Sequence, residues 1–153
     1  MKIIALLTRG RSGALFFQSL LDGHPNISTI PGPFLRRIFH WYEANKKYKN
    51  ILLIDKFIEH HDVLFNESSE ELIKFGFNRL GNSENKNITI DKKIFKENYI
   101  NLSSKYNSNS RKDFFLNVNL AYSLTAGKDI KKIDTILYYM HDRDQELAKF
   151  LEA

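Results

Sequence analysis

The amino-acid sequence predicts an α/β fold in which a parallel sheet is covered by many helices. Residues 3–7 form a continuous apolar run that leads through a glycine-containing loop into a helical pattern. Residues 135–140 form a second run, rich in β-branched and aromatic side chains. The chain between them repeats apolar residues at helical spacing. Its 12 Phe against 7 Gly favour packed helices over a turn-rich all-β protein.

Composition sets the class of protein. The 153 residues are 42% hydrophobic, which is enough for one domain with its own core. The net charge is +5, but no run of five or more Lys and Arg occurs, so we do not expect nucleic-acid binding. The absence of cysteine excludes thiolate metal sites and disulfides, and it fits a reducing compartment. No apolar stretch approaches the ~20 residues of a membrane span. We therefore expect a cytoplasmic protein.

Helices are predicted over most of the chain outside the two strands. Ser68 with Glu71 resembles a capping box, and Ser110 with Asp113 caps a later helix. A strand over residues 51–54 is the alternative to a helix there. The predicted elements, in chain order, are a helix over 15–23, a short extended segment over 26–30, helices over 34–45 and 51–65, a helix from Ser68 to near Gly81, a short helix over 94–102, a helix from Ser110 to near Gly127, and a helix over 142–153.

The two adjacent histidines, His60 and His61, precede Asp62 in a predicted helix. Neighbouring residues of a helix point to different faces, so this is not the i, i+4 histidine pair of a zinc site. We interpret these residues as part of a solvated polar face.

The loop after the first strand has the composition of an anion site. Such a site needs backbone N–H groups, a glycine that allows close approach, a helix N-terminus and a cation. The loop supplies Gly10 and Gly13 for the bend, Arg9 and Arg11 for charge, and a hydroxyl from Ser12. It contains neither Gly-Lys-Ser/Thr nor Gly-x-Gly-x-x-Gly, which disfavours a nucleotide kinase and a dinucleotide-binding loop.

This segment resembles the 5′-phosphosulfate loop of the sulfotransferases. The resemblance consists of Arg11-Ser12-Gly13 after the strand, followed by QSLLDGHP at residues 18–25. It implies a P-loop NTPase-like fold of the sulfotransferase type. It also implies 3′-phosphoadenosine 5′-phosphosulfate (PAPS) as the donor and no metal. The donor segment would consist of Arg9, Gly10, Arg11, Ser12, Gly13, Ala14 and Leu15.

Two roles follow from the resemblance. Arg11 would stabilise charge on the leaving phosphate, while Ser12 and Gly13 would give it hydrogen bonds. Ala14 and Leu15 stand where the family usually has hydroxyl residues. Each missing hydrogen bond to a charged group is worth ~1.5–3 kcal/mol.

A general base is predicted after the second strand. In cytosolic sulfotransferases the catalytic histidine follows a comparable strand, and here that position is His141. By analogy His141 would take the proton from the acceptor hydroxyl, with Asp142 orienting its ring. The family's lysine two positions earlier is replaced by Tyr139. A surface histidine at a strand end is the alternative interpretation.

The family continues with a strand and a helix that carry an Arg and a Ser for the 3′-phosphate. The resemblance therefore implies that residues 1–153 form a single partial domain, incomplete at its C-terminus. Exposed sheet edges would then favour a homo-oligomer. Three functions remain open: sulfuryl transfer to a small-molecule or carbohydrate acceptor, an inactive remnant that only binds or supports, and a phosphate-binding protein unrelated to sulfate.

Overall fold

The computed structural model describes residues 1–7, 13–32, 34–35, 37–66, 70, 90–106 and 110–140. Within them the chain is α/β, as the sequence predicts, with a small parallel sheet and five α-helices. In chain order the elements are β1 (Lys2–Leu7), α1 (Ala14–Asp22), β2 (Ile27–Thr29), α2 (Ile38–Asn45), α3 (Asn50–His60), a 3₁₀ turn (Asp62–Leu64), α4 (Lys92–Tyr106), α5 (Arg111–Thr125) and β3 (Thr135–Met140).

The described sheet has three parallel strands in the order β1-β3-β2. The two apolar runs of the sequence are direct neighbours, since Lys2 pairs with Thr135 and Leu7 with Met140. The dinucleotide-binding fold instead places its second strand in the middle of its first three. The order of the described strands therefore differs from the order of the first three strands in that fold.

Helices lie on both faces of the sheet, and two adjacent residues of β2 show this. Successive side chains of a strand point to opposite faces. The Ser28 hydroxyl is 2.7 Å from the Ser123 hydroxyl and donates to the Asn119 carbonyl, both on α5. The Thr29 hydroxyl accepts from Gln18 on α1. Helices α1 and α5 therefore cover opposite faces.

The hydrophobic core lies on the α5 face. Ile136 pairs with Ser28, so Ile136, Tyr138 and Met140 share that face of β3. The Tyr138 ring centre lies 5.7 Å from that of Phe39 on α2 and 5.2 Å from that of Phe115 on α5. Aromatic packing of this kind contributes beyond simple burial. The largest fully buried side chains of the described core are those of Phe39, Phe57, Phe95 and Phe115.

Three helix predictions differ from the structure in extent. Helix α2 begins only at Ile38, because Arg37 before it has the left-handed φ of 58°, so the helix does not reach back to residue 34. Helix α3 ends at His60, and the alternative strand over 51–54 is wrong. Helix α4 runs to Tyr106 and is longer than the predicted 94–102. The predicted helices at 68–81 and 142–153 lie outside the described residues, apart from Glu70.

The start of α5 is confirmed. The Ser110 hydroxyl accepts a hydrogen bond of 3.1 Å from the Asp113 N–H, which satisfies one of the unpaired donors at a helix start. Among the helices in the described ranges, none combines the length and the apolarity needed to cross a bilayer.

Candidate anion-binding site

The predicted phosphate loop connects β1 to α1. Strand β1 ends at Leu7 and helix α1 begins at Ala14. Of the seven predicted donor residues, the structure describes Gly13, Ala14 and Leu15. The other four, Arg9, Gly10, Arg11 and Ser12, lie outside the described residues.

Gly13 precedes α1 in a conformation that favours glycine. Its φ is 71° and its ψ is 12°, in the left-handed region. For a residue with a Cβ this region costs about 1–2 kcal/mol. A Cβ built on Gly13 meets no atom within 4 Å, so backbone strain alone selects glycine here. The glycine of the Arg-Ser-Gly motif therefore has a structural reason to be at this position.

The first turn of α1 offers backbone donors to an anion. The first intrahelical bond runs from the Phe17 N–H to the Gly13 carbonyl, at 3.0 Å. The N–H groups of Ala14 and Leu15 precede it, and the N-cap residue Gly13 has no side chain that could accept from them. The first turn also contains no acidic residue. The helix dipole places partial positive charge at this end, so the geometry suits a phosphate or sulfate group.

Ala14 and Leu15 add no hydroxyl to this donor set. Ala14 is buried and Leu15 is half-buried. Their side chains supply apolar surface in the first turn. An anion held here would therefore depend on backbone N–H groups and on the residues of the preceding loop.

The strands that precede the two predicted catalytic segments end side by side. Leu7 and Met140 are paired in register, and parallel strands lie about 4.8 Å apart. The phosphate loop begins one residue after Leu7, and His141 directly follows Met140. His141 itself lies outside the described residues. Tyr139, at the position where the resemblance would place a lysine, is buried on the opposite face from Met140, where α1 packs.

Gln18 anchors α1 to the end of β2, which sequence reasoning missed. Its side chain is 3% exposed. The amide nitrogen donates to the Thr29 hydroxyl at 2.8 Å and to the Ile30 carbonyl at 2.7 Å, and the amide oxygen accepts from the Gly32 N–H at 3.1 Å. These bonds fix α1, the helix at whose start the candidate anion site lies. The sequence could have indicated this role by one feature: Gln18 lies four residues after Ala14, so the two share a face of α1, and the structure buries that face.

His61 corrects the interpretation of a solvated polar face. Its ring is 4% exposed and lies 4.2 Å from the ring of Phe57, whereas His60 is exposed. The Phe57 carbonyl can only accept, so the His61 Nδ1 at 3.1 Å donates to it, and the buried Nε2 has no partner. Burial lowers the pKa of His61 to about 4. The spacing of Ile54, Phe57 and His61 already indicates one buried face.

Comparison with known proteins found no match to any family model, curated protein or solved structure. Within the described ranges, no three His, Asp or Glu side chains are close enough together to hold a metal ion. The candidate site therefore rests on its own geometry and on the sequence motif.

The left-handed conformation of Gly13 gives a direct prediction. We expect Gly13→Ala to lower the free energy of unfolding by about 1 kcal/mol, because only the backbone conformation opposes a Cβ. Gly23 at the other end of α1 has φ −77° and equally open space, so Gly23→Ala is the matched control. That control should be neutral or slightly stabilising. Urea denaturation of both variants measures the difference, and equal effects would contradict the assigned conformation.

Proposed function

We propose that the chain binds PAPS at the β1–α1 junction and transfers its sulfuryl group to a hydroxyl or amine acceptor. The observation that carries the proposal is the start of α1, which is entered through left-handed Gly13 of the Arg11-Ser12-Gly13 motif. A helix start of this kind suits the 5′-phosphosulfate group. We also infer that the sheet is of the P-loop, sulfotransferase type.

The proposed reaction is a displacement at sulfur. The acceptor oxygen or nitrogen forms a bond to sulfur while the bond from sulfur to the bridging phosphate oxygen breaks. The leaving group is adenosine 3′,5′-bisphosphate. Arg11 and the first-turn N–H groups stabilise the charge that develops on its 5′-phosphate. No metal is needed in this scheme because a side chain supplies the positive charge.

His141 is proposed as the general base that takes the proton from the acceptor. The support for this role is the position of His141 in the chain. It follows Met140, which pairs with Leu7 immediately before the phosphate loop. Residues after the carboxyl ends of parallel strands commonly form the ligand site of an α/β sheet. The proton and the leaving phosphate would therefore be handled at the same end of the sheet.

A second candidate function is binding of the donor or its product without turnover. Ala14 and Leu15 provide no hydroxyl to the phosphate, so only their backbone N–H groups can bind it. Weak binding of the donor without sulfuryl transfer is then expected, and the chain would serve as a binding or structural module. A radiolabelled donor with a broad panel of phenols, amines and sugars distinguishes the two functions, since only the enzyme releases the bisphosphate in step with acceptor sulfation.

The acceptor is proposed to be a small molecule or a carbohydrate, encountered in the cytoplasm. The cysteine-free composition fits a reducing compartment. The helices from α2 to α5 are the part of the fold in which such proteins build a variable acceptor pocket. The acceptor class and the compartment are inferred only if the donor site is confirmed, so they are tested after the donor site.

The donor site is tested by thermal shift with adenosine 3′,5′-bisphosphate beside ATP–Mg²⁺. At a hundredfold excess over Kd, a bound ligand stabilises the fold by about 2.7 kcal/mol. We expect the bisphosphate to stabilise the protein. Arg11→Ala should weaken binding roughly 10- to 100-fold, since a hydrogen bond to a charged group is lost.

The matched control removes a positive charge elsewhere. Lys93 is exposed near the start of α4, and Lys93→Ala should leave the bisphosphate shift unchanged. Stabilisation by ATP–Mg²⁺ in place of the bisphosphate would contradict the sulfotransferase proposal. An equal loss in both variants would mean that the ligand responds to net charge and not to the loop.

A further inference from the structure

The connection between α2 and α3 carries a cluster of lysines. Residues 46–49 read Lys-Lys-Tyr-Lys, and all three of these lysines are exposed. Lys56 of α3 joins them, because its Nζ lies 4.7 Å from the centre of the Tyr48 ring and the Nζ of Lys47 lies 5.2 Å from the same centre. The two ammonium groups are therefore no more than about 10 Å apart, within the range over which charges at a protein surface reinforce each other.

The ion pairs near this cluster leave most of its charge unbalanced. Glu43 is bound by Lys46 at 2.7 Å, and Asp55 is bound by Lys96 at 2.5 Å. Glu59, the other carboxylate of α3, makes no ion pair with a lysine of the described residues. The remaining three lysines of the cluster likewise have no carboxylate within ion-pair distance in the described part of the chain. This surface therefore keeps a net positive charge.

Two exposed aliphatic side chains lie beside the lysines. Ile51 is 55% exposed and Leu52 is 51% exposed, both in the first turn of α3. The next two residues, Leu53 and Ile54, are buried, so the helix packs on the core with its other face. Leu52 lies four residues before Lys56 and shares a face of α3 with it. Lysines next to exposed apolar side chains are typical of helices that lie on a membrane surface.

We propose that this surface docks the protein on a lipid bilayer that carries anionic headgroups. The residues of this basic–apolar patch are Lys46, Lys47, Lys49, Ile51, Leu52 and Lys56. The lysines attract the negatively charged surface, and each strengthens binding about fivefold. The two aliphatic side chains enter the boundary between headgroups and acyl chains, which removes their apolar surface from water. This docking is independent of the proposed donor site.

The aliphatic side chains favour a bilayer over a nucleic acid. A nucleic acid would offer phosphates to the lysines, and its bases would stack on aromatic rings. The Tyr48 ring is half-buried and already faces two ammonium groups, so it is poorly placed for a base. A bilayer matches both parts of the patch, because its charged headgroups adjoin its hydrocarbon.

Co-sedimentation of the full chain with vesicles tests the lysines. We expect binding to vesicles of phosphatidylcholine and phosphatidylserine, mixed roughly 3:1, and not to phosphatidylcholine alone. The double variant Lys47→Gln/Lys49→Gln should bind about 25-fold more weakly. Lys131→Gln/Lys132→Gln removes two exposed lysines before β3 and is the matched control. Absence of binding to the mixed vesicles, equal binding to the neutral ones, or an equal loss in both variants overturns the proposal.

The aliphatic part of the patch is tested with the same vesicles. Leu52→Ser should weaken binding about fivefold, since an apolar side chain no longer leaves water. Ile94→Ser is the matched control, because Ile94 is 49% exposed on α4 and lies outside the patch. An affinity unchanged in Leu52→Ser would mean that charge alone is recognised, as by RNA, and would overturn the assignment to a bilayer.

Discussion

Replacing Gln18 with alanine is expected to lower the free energy of unfolding by about 3 kcal/mol. The substitution removes all three hydrogen bonds of the buried amide group. The Thr29 hydroxyl, the Ile30 carbonyl and the Gly32 N–H are then left without that partner inside the protein. Each unpaired buried group costs about 1–3 kcal/mol, and water entering the space would recover part of this. Urea denaturation measures the change.

Thr29→Val is the partial control for this prediction. It removes one of the three bonds and keeps the shape of the side chain, so it should cost about 1 kcal/mol. Gln18→Met keeps the volume of the side chain without the amide and should behave like Gln18→Ala. If the Gln18→Ala variant is at least as stable as the Thr29→Val variant, the three hydrogen bonds do not hold α1 to the end of β2.

Acidification is expected to destabilise the protein through His61. Its pKa is about 4 in the folded chain, because burial disfavours the charged ring, against about 6.5 when unfolded. Between these two values the unfolded chain binds a proton that the folded chain does not. Stability is therefore full above about pH 6.5 and falls by about 3 kcal/mol as the pH drops towards 4.

Denaturation midpoints across this pH range, compared between two variants, test the assignment to His61. His61→Phe keeps an aromatic ring beside Phe57 and should remove most of the pH dependence between about 6.5 and 4. His60→Phe is the control, because His60 is exposed at the end of the same helix. The carboxyl groups of Glu43 and Asp62, whose pKa values are lowered chiefly by Lys46 and Lys92, titrate in both variants and cancel. An unchanged slope in His61→Phe would contradict the assignment.

The strands and helix starts that depend on local pattern could be predicted from the sequence. The apolar runs of β1 and β3 and the Ser110 cap of α5 are examples, since each depends on residues close in the chain. The strand order and the register could not be predicted, because they join residues more than a hundred positions apart. The late start of α2 follows from the conformation of Arg37, for which the sequence gives no signal.

The residues of the candidate site likewise include some whose role could be predicted from the sequence and some whose role could not. The need for a glycine at residue 13 could be predicted from the loop motif, and its φ of 71° agrees. The role of Gln18 could not, because its partners lie 11 to 14 residues away on another strand and its exit turn. The buried His61 could have been predicted from its helical spacing with Phe57. Its adjacency to two polar residues, His60 and Asp62, suggested the opposite.

The central claim is that the β1–α1 junction binds the donor's phosphate, and an amide ¹H–¹⁵N spectrum tests it most directly. Titration with adenosine 3′,5′-bisphosphate should shift the amide signals of Gly13, Ala14 and Leu15. The amide of Gly23, at the other end of α1, should stay in place. Shifts confined to the junction, and absent in Arg11→Ala, are the predicted result. An unchanged Gly13 signal at saturating bisphosphate, or shifts centred elsewhere in the fold, would contradict the account.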